Sequence, residues 1–94
     1  MRQLYFFHDQ KKTFIPLYDG LVIGRSKGDL HFEEDPLVSR QHCRFSIVKD
    51  EVFVEDLGST NPTIVNRVPL IANRKRKVLL NDVIKVGNQR LILT

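Results

Sequence analysis

Short apolar runs, separated by turn residues, are the feature that most restricts the fold of this 94-residue chain. In the clearest run, between Gln41 and Val48, alternate residues are apolar, so that Cys43, Phe45 and Ile47 share one face of a strand. No stretch repeats apolar residues at the i, i+3, i+4, i+7 spacing of an amphipathic helix over three turns. Turn signals recur about every 6–12 residues, and this pattern predicts an all-β sandwich or barrel.

About ten strands are predicted, and one of them contains an informative proline. Pro16, in the second strand, predicts an edge position because proline has no N–H to donate to a neighbouring strand. Residues 66–77 form the longest stretch without an assigned strand. In chain order the predicted strands are 4–7, 13–17, 21–23, 30–32, 41–48, 51–57, 64–65, 78–80, 83–86 and 89–94.

Length and composition are those of one folded domain. With 41% hydrophobic and 28% charged residues, residues 1–94 are expected to form a single domain, alone or as a module of a larger protein. The single cysteine, Cys43, excludes an internal disulfide framework and is expected in the core. No apolar stretch approaches the roughly 20 residues of a membrane span, so we expect a cytoplasmic protein.

Three predicted loops, 24–27, 38–42 and 58–63, contain the side chains with the most distinctive chemistry. Arginine offers a planar, charged pair of donors to a phosphate, serine and threonine donate a hydroxyl, and asparagine binds a main-chain amide through both its groups. The loops contain no carboxylate. This set favours binding of a phosphate dianion and an extended peptide. Its members are Arg25, Ser39, Arg40, Thr60 and Asn61.

The order of these motifs resembles the forkhead-associated (FHA) family. The resemblance covers roughly residues 20–94 and includes 80–87, which look like the closing hairpin of that family. It implies an FHA-like β-sandwich of about ten to eleven short, mostly antiparallel strands that binds phosphothreonine peptides through loops at one end. The motifs that carry it are Gly24-Arg25, Ser39-x-x-His42 and Ser59-x-Asn61-x-Thr63.

The resemblance also implies a role for each candidate ligand. Arg25 contacts the phosphate or the nearby peptide backbone, and Ser39 donates its hydroxyl to a phosphate oxygen. Arg40 follows that serine, where family members often place a further phosphate ligand. Thr60 supplies a second hydroxyl or amide contact, and Asn61 holds the peptide main chain.

Gly24 and His42 are family signature positions to which the resemblance gives a structural role, with His42 bracing the Ser39 loop. Ser39 and His42 could form a nucleophile and base pair only with an acid that orients the histidine, and the sequence has none at a matching spacing. No enzyme activity is therefore expected. The histidines and Cys43 lack zinc-site spacing, and no P-loop is present, so neither a metal nor a cofactor is expected.

Two residues depart from the family pattern. Pro62 stands where the family usually has glycine; it fixes φ near −65° and biases Asn61 towards extended conformations. Asn81 stands where the family often has glycine, a change that asparagine tolerates. Pro62 motivates a second hypothesis, a phosphate-independent FHA scaffold whose loops bind a protein surface or a second copy of the chain.

Charge is distributed unevenly along the chain. Residues 57–94 hold seven basic and one acidic side chain, a net charge of +6, and four of the basic residues form the run Arg74-Lys75-Arg76-Lys77. Such a run indicates either an acidic partner or a solvated loop. A weak nucleic-acid binder is the third hypothesis, without the interleaved aromatics of a specific one. We expect a monomeric domain that binds a phosphothreonine-containing protein, or a phosphorylated segment of its own chain, and no membrane.

Overall fold

The computed structural model describes residues 3–94 and confirms the all-β prediction, with eleven strands and, in this part of the chain, no helix. Residues 3–94 therefore include no helix long and apolar enough to cross a lipid bilayer. The prediction of one domain over 1–94 stays a prediction, and its first two residues lie outside the described part. The strands are β1 (Leu4–His8), β2 (Thr13–Leu17), β3 (Val22–Gly24), β4 (Leu30–His31), β5 (Cys43–Val48), β6 (Glu51–Asp56), β7 (Ile64–Val65), β8 (Val68–Pro69), β9 (Arg76–Val78), β10 (Val83–Val86) and β11 (Gln89–Leu93).

The strands form two sheets. One has six strands in the order β2-β1-β11-β10-β7-β8, and the other has five in the order β4-β3-β5-β6-β9. The pairs with recorded register are antiparallel except β3 with β4, which is parallel. β2 lies at an edge, as Pro16 predicts.

The core lies between the sheets and is formed by alternate residues of the longer strands. Phe6 of β1 and Phe45 of β5 are fully buried, and their rings meet edge to face with centroids 4.7 Å apart. Each such side chain contributes about 1.5–3 kcal/mol by leaving water. Cys43 is buried among them, and burial raises the pKa of its thiol to about 12. The core cysteine is therefore a packing residue and not a nucleophile.

The chain between residues 66 and 80 differs from the prediction. Strand β8 lies within the stretch to which no strand was assigned, and β9 covers Arg76–Val78 and not the predicted 78–80. The turn before β8 has Asn66 and Arg67 in the left-handed region, at φ of 47° and 70°, without the glycine that usually marks such a turn. β9 is mostly basic, and its position is set by pairing with β6, which its own composition does not indicate.

Antiparallel pairing brings three loops to one end of the sandwich. The loops after β3, before β5 and after β6 all leave the five-stranded sheet there, and the backbone bond from Leu57 N–H to the His42 carbonyl (2.9 Å) joins the last two. The β10–β11 turn lies at the same end, because Asn88 donates to Asp35 in the loop before β5. The tight turn Lys49-Asp50 between β5 and β6 lies at the opposite end.

Candidate functional site

The first and second loops are joined through their backbones. Arg25 N–H donates to the Ser39 carbonyl at 2.8 Å, and Lys27 N–H donates to the Arg40 carbonyl at 3.0 Å. A Cβ at Gly24 would lie 1.9 Å from the Arg40 carbonyl oxygen, so this approach requires glycine. The arrangement fixes Arg25, Ser39 and Arg40 next to one another.

The second and third loops are joined through side chains. Thr60 N–H donates to Ser39 Oγ at 3.1 Å, and the Asn61 side-chain amide donates to the Leu37 carbonyl at 3.3 Å. Because Ser39 Oγ accepts a hydrogen bond from Thr60, its own proton remains available for a ligand. The Thr60 amide is occupied in this way, which leaves its hydroxyl as the group that Thr60 presents.

His42 lies beneath the site and is fully buried. Its Nδ1 accepts a hydrogen bond from the Ser39 backbone N–H at 3.0 Å, so the neutral ring carries its proton on Nε2. Nε2 lies 3.9 Å from Asp56 Oδ1 and has no hydrogen-bond partner among residues 3–94. His42 thus contacts the amide of Ser39 and not its hydroxyl, which is not the geometry of a general base.

Asp56, which sequence reasoning did not single out, holds the third loop. The carboxylate is 2% exposed and accepts five hydrogen bonds, from Gly58 N–H, from the N–H and hydroxyl of Ser59, and from the N–H and hydroxyl of Thr63. Burial by itself raises the pKa of Asp56, but the bonds from Ser59 and Thr63 outweigh it and hold the pKa below the ordinary 3.8. Asp-Leu-Gly at the end of a strand is an Asx-turn signal that would have indicated this residue.

Asp35, also missed, ties the chain just before the second loop to the β10–β11 turn. It accepts hydrogen bonds from Leu37 N–H, from the N–H and side chain of Asn88, and from the Gln89 side chain. Gly87 at φ +59° lets this turn approach, since a Cβ there would lie 2.6 Å from a Val38 methyl. Burial by itself raises the pKa of Asp35, but the hydrogen bonds from Gln89 and Asn88 have the larger effect and hold the pKa below the ordinary 3.8.

The loops next to Ser39 carry cations without carboxylate partners. Within the described part of the chain, neither Arg25, Lys27 nor Arg40 has an acidic group within 4.0 Å, whereas Arg44 is paired with Glu55. A shallow depression beside Ser39 is lined in part by Lys27 and Arg40. Its charge and donors suit an anion.

A larger cavity lies at the opposite end of the sandwich and does not suit a phosphate. It is lined by Leu17, Tyr18 and Ile47, and its single cation, Lys49, is accompanied by Asp19 and Asp50. Cavity size alone therefore does not identify the binding site. The cations and hydroxyl donors that suit a phosphate lie at the three loops.

The third loop accommodates Pro62 without a left-handed residue next to it. In residues 58–63 the backbone has positive φ at Gly58 (+84°) and at no other position. Thr63, directly after the proline, is buried and bonded to Asp56. The one left-handed residue of this loop is therefore Gly58, and the proline position does not require positive φ. Asn81, the smaller departure, lies at φ +73°, a left-handed conformation that suits glycine or asparagine.

Stability is expected to fall below pH 6.5 because of His42. Burial lowers the pKa of His42 from its ordinary 6.5 and outweighs the charges of Asp56 and Asp35, which raise it. Between the lowered folded-state pKa and 6.5 the unfolded chain binds more protons, so the free energy of unfolding rises with pH through this window. Protonation of Nδ1 also breaks the bond from Ser39. Urea denaturation at pH 5 and pH 7 measures the slope.

His42→Asn serves as the control for this pH dependence. The asparagine oxygen occupies the position of Nδ1 and accepts from the Ser39 amide, but it does not titrate. The variant should lose the slope that His42 causes between pH 5 and pH 7, and it should keep the decline below pH 3.8 caused by Asp35 and Asp56. An unchanged slope would assign the effect to another group.

A β-sandwich with a cationic, hydroxyl-bearing loop end defines a class of anion-binding interaction modules. Residues 21–87 match the family model of the FHA domain, and the chain belongs to that family. It is 44% identical over 62 residues to the oxoglutarate dehydrogenase inhibitor of Corynebacterium efficiens, which covers 65% of the chain. It is 39% identical over 70 residues, 73% of the chain, to the glycogen accumulation regulator GarA of Mycobacterium tuberculosis. The chain spans 41% of the length of each of these relatives.

Solved FHA domains have the same fold over nearly the whole chain. A structure from a study of phosphothreonine-dependent FHA domain interactions superposes with a TM-score of 0.85 and 26% identity, covering 98% of this chain and 95% of the other. The FHA domain of FhaA, in complex with the intracellular domain of Rv3910, gives 0.80 and 28%, covering 98% of each chain. The predicted FHA fold is thereby confirmed.

Proposed function

We propose that this domain binds phosphothreonine-containing peptides through the three loops and acts as an interaction module without catalytic activity. The observation that carries the proposal is the junction at Ser39. Its hydroxyl proton is free, Arg40 lines the same depression, and the Arg25 backbone N–H is bonded to the Ser39 carbonyl. Neither arginine has a carboxylate partner among the described residues. A phosphate dianion supplies the charge and the acceptors that these groups require.

The proposed roles follow from the contacts. The phosphate lies between Arg25, the Ser39 hydroxyl and the Thr60 hydroxyl, with Arg40 as a further cation. Asn61 is exposed at the rim of the third loop and holds the main chain of an extended peptide. Gly24 and His42 position these groups from below without contacting the ligand. The similarity to a domain from a study of phosphothreonine-dependent FHA domain interactions supports this proposal.

In a cell the domain would recruit a phosphorylated partner, or bind a phosphorylated segment of its own chain. We propose that it does so as a monomer in the cytoplasm.

A degenerate phosphothreonine peptide library, titrated beside its unphosphorylated twin, tests the function. We expect binding of the phosphorylated library alone, and loss of that binding in Arg25→Ala. The matched control is Lys85→Gln, which removes an exposed cation from the middle of β10. Equal binding of both libraries would replace the proposal with the phosphate-independent scaffold.

One observation favours the phosphate-independent scaffold: the Asn61 side-chain amide already donates to the Leu37 carbonyl, which leaves less of it for a peptide. Pro62, the neighbour of Asn61, is the residue that tests this alternative. We expect Pro62→Gly to bind phosphopeptide no more tightly than the parent, since position 62 does not have the positive φ that would favour glycine. The variant should lose about 0.4–1 kcal/mol of stability through the greater freedom of its unfolded chain. Calorimetric titration and urea denaturation measure both quantities. A clear gain in affinity would show instead that proline holds the Asn61 side chain in an orientation that is unfavourable for peptide binding.

A further inference from the structure

The basic run Arg74–Lys77 begins beside the proposed peptide site. The preceding turn is bonded to both ends of the third loop: Leu70 N–H donates to the Thr63 carbonyl and Asn73 N–H to the Asp56 carbonyl, each at 2.8 Å. Asn73 lies in the left-handed region at φ 63°, where it turns the chain into β9. Arg74 and Lys75 therefore emerge at the loop end of the sandwich.

The run is not neutralised by neighbouring acids. Lys77 pairs with Glu51 at 2.6 Å, but in residues 3–94 no carboxylate lies within 4.0 Å of the other three cations. Arg74 and Lys75 are exposed. Basic residues on an edge strand such as β9 discourage aggregation. That explanation covers Arg76 and Lys77, which lie in β9, but not Arg74 and Lys75, which precede it.

We propose that Arg74 and Lys75 form a second anion subsite, which binds acidic groups of the same peptide whose phosphothreonine lies at Ser39. The inference rests on the proposed function and adds to it a preference for acidic ligands. The groups bound are carboxylates of Asp or Glu, or a second phosphate, since both offer oxygen acceptors to a cation. The domain would thus select phosphothreonines that lie in acidic sequences.

The strand order sets the spacing between the two subsites. Ser39 precedes β5 and Arg74 precedes β9, and β6 lies between these strands. Two strand spacings amount to about 10 Å, which an extended peptide covers in about three residues. Arg25 lies on the side of β3 and Arg74 on the side of β9, so the acidic residues belong on one flank of the phosphothreonine and not on both.

Three peptides around one phosphothreonine test this subsite: one with neutral flanks, one with three glutamates from the third residue onward on the N-terminal side, and one with them on the C-terminal side. We expect one acidic peptide to bind about three- to ten-fold more tightly than the neutral peptide at roughly 0.1 M salt, as exposed ion pairs allow. A second phosphothreonine in place of the glutamates should give at least the same gain. The ratio of the affinity of the acidic peptide to that of the neutral peptide should fall towards one as the salt concentration approaches about 0.5 M.

The variant Arg74→Gln/Lys75→Gln should abolish the gain and leave the affinity for the neutral peptide unchanged. Lys49→Asn/Lys85→Gln removes the same charge from the opposite end and from β10, and it should keep the gain. If the neutral phosphopeptide binds but the acidic peptides bind no more tightly, the subsite is wrong and the proposed function stands. The same conclusion follows if both acidic peptides bind more tightly to the same degree, with Arg74→Gln/Lys75→Gln as with Lys49→Asn/Lys85→Gln. If no phosphopeptide binds, both are wrong.

A single-stranded oligonucleotide completes the test. We expect weak binding that disappears near physiological salt, as for a few non-specific phosphate contacts. Tight binding at that salt, lost in Arg74→Gln/Lys75→Gln, would assign the run to nucleic acid and overturn the peptide subsite.

Discussion

Asp56→Asn is expected to lower the free energy of unfolding by about 3–5 kcal/mol, because the carboxylate is buried and accepts five hydrogen bonds. An amide retains one acceptor oxygen and turns an NH₂ group towards the remaining donors. The third loop then loses its anchor at Gly58, Ser59 and Thr63. Urea denaturation at pH 7 measures the loss, and phosphopeptide affinity should fall with it because Thr60 and Asn61 lose their position.

The control is Asp50→Asn, in the turn at the opposite end. Asp50 is exposed and lies at φ 65°, a conformation that asparagine adopts readily, so its stability should change by less than about 0.5 kcal/mol. A loss below about 1 kcal/mol in Asp56→Asn would show that the five bonds do not hold the loop.

Arg25→Ala and Ser39→Ala are each expected to weaken phosphopeptide binding about 10- to 100-fold, since each removes charge-assisted hydrogen bonds to the phosphate. Unfolding should change by no more than about 0.5 kcal/mol, because both side chains lie on loops and neither belongs to the core. In Ser39→Ala, water replaces Oγ as the acceptor for the exposed Thr60 amide. Titration calorimetry and thermal denaturation of the same preparations separate the two effects.

His42→Ala should show the opposite pattern. The change removes the acceptor of the Ser39 amide, and it creates a cavity at a fully buried position. The free energy of unfolding should therefore fall by about 1–3 kcal/mol. Binding should weaken only as the Ser39 loop loosens. Arg25→Ala with parental affinity would contradict the phosphate site. His42→Ala with parental stability but no binding would make His42 a direct ligand.

Much of the fold follows from the sequence because its signals are local. Alternation on both sides of the polar pair Lys49-Asp50 predicts a hairpin, and it lies within fourteen residues. The structure pairs Cys43 with Asp56 and Val48 with Glu51 in that hairpin. Pro16 marks an edge for the local reason that it lacks a donor. The order of the loop motifs was also sufficient to indicate the family.

The parts that the sequence did not predict depend on contacts between distant residues. Asp35 is satisfied by Asn88 and Gln89, more than fifty positions away, so nothing near it in the sequence distinguishes it from a surface acid. β9 owes its position to β6. Asp56 has a local signal, the Asp-Leu-Gly turn, but the alternation of β6 places Asp56 in the strand and not in the loop that it supports.

The central claim is that phosphothreonine is bound where Arg25, Ser39 and Thr60 meet. Amide chemical shifts of the ¹⁵N-labelled domain, followed while a phosphothreonine peptide and its unphosphorylated twin are added, test it directly. The account predicts that the largest shifts fall on Arg25, Ser39, Arg40, Thr60 and Asn61, with the phosphorylated peptide alone, while the turn Lys49-Asp50 stays unchanged. Equal shifts with both peptides, or the largest shifts at the opposite end of the sandwich, would contradict it.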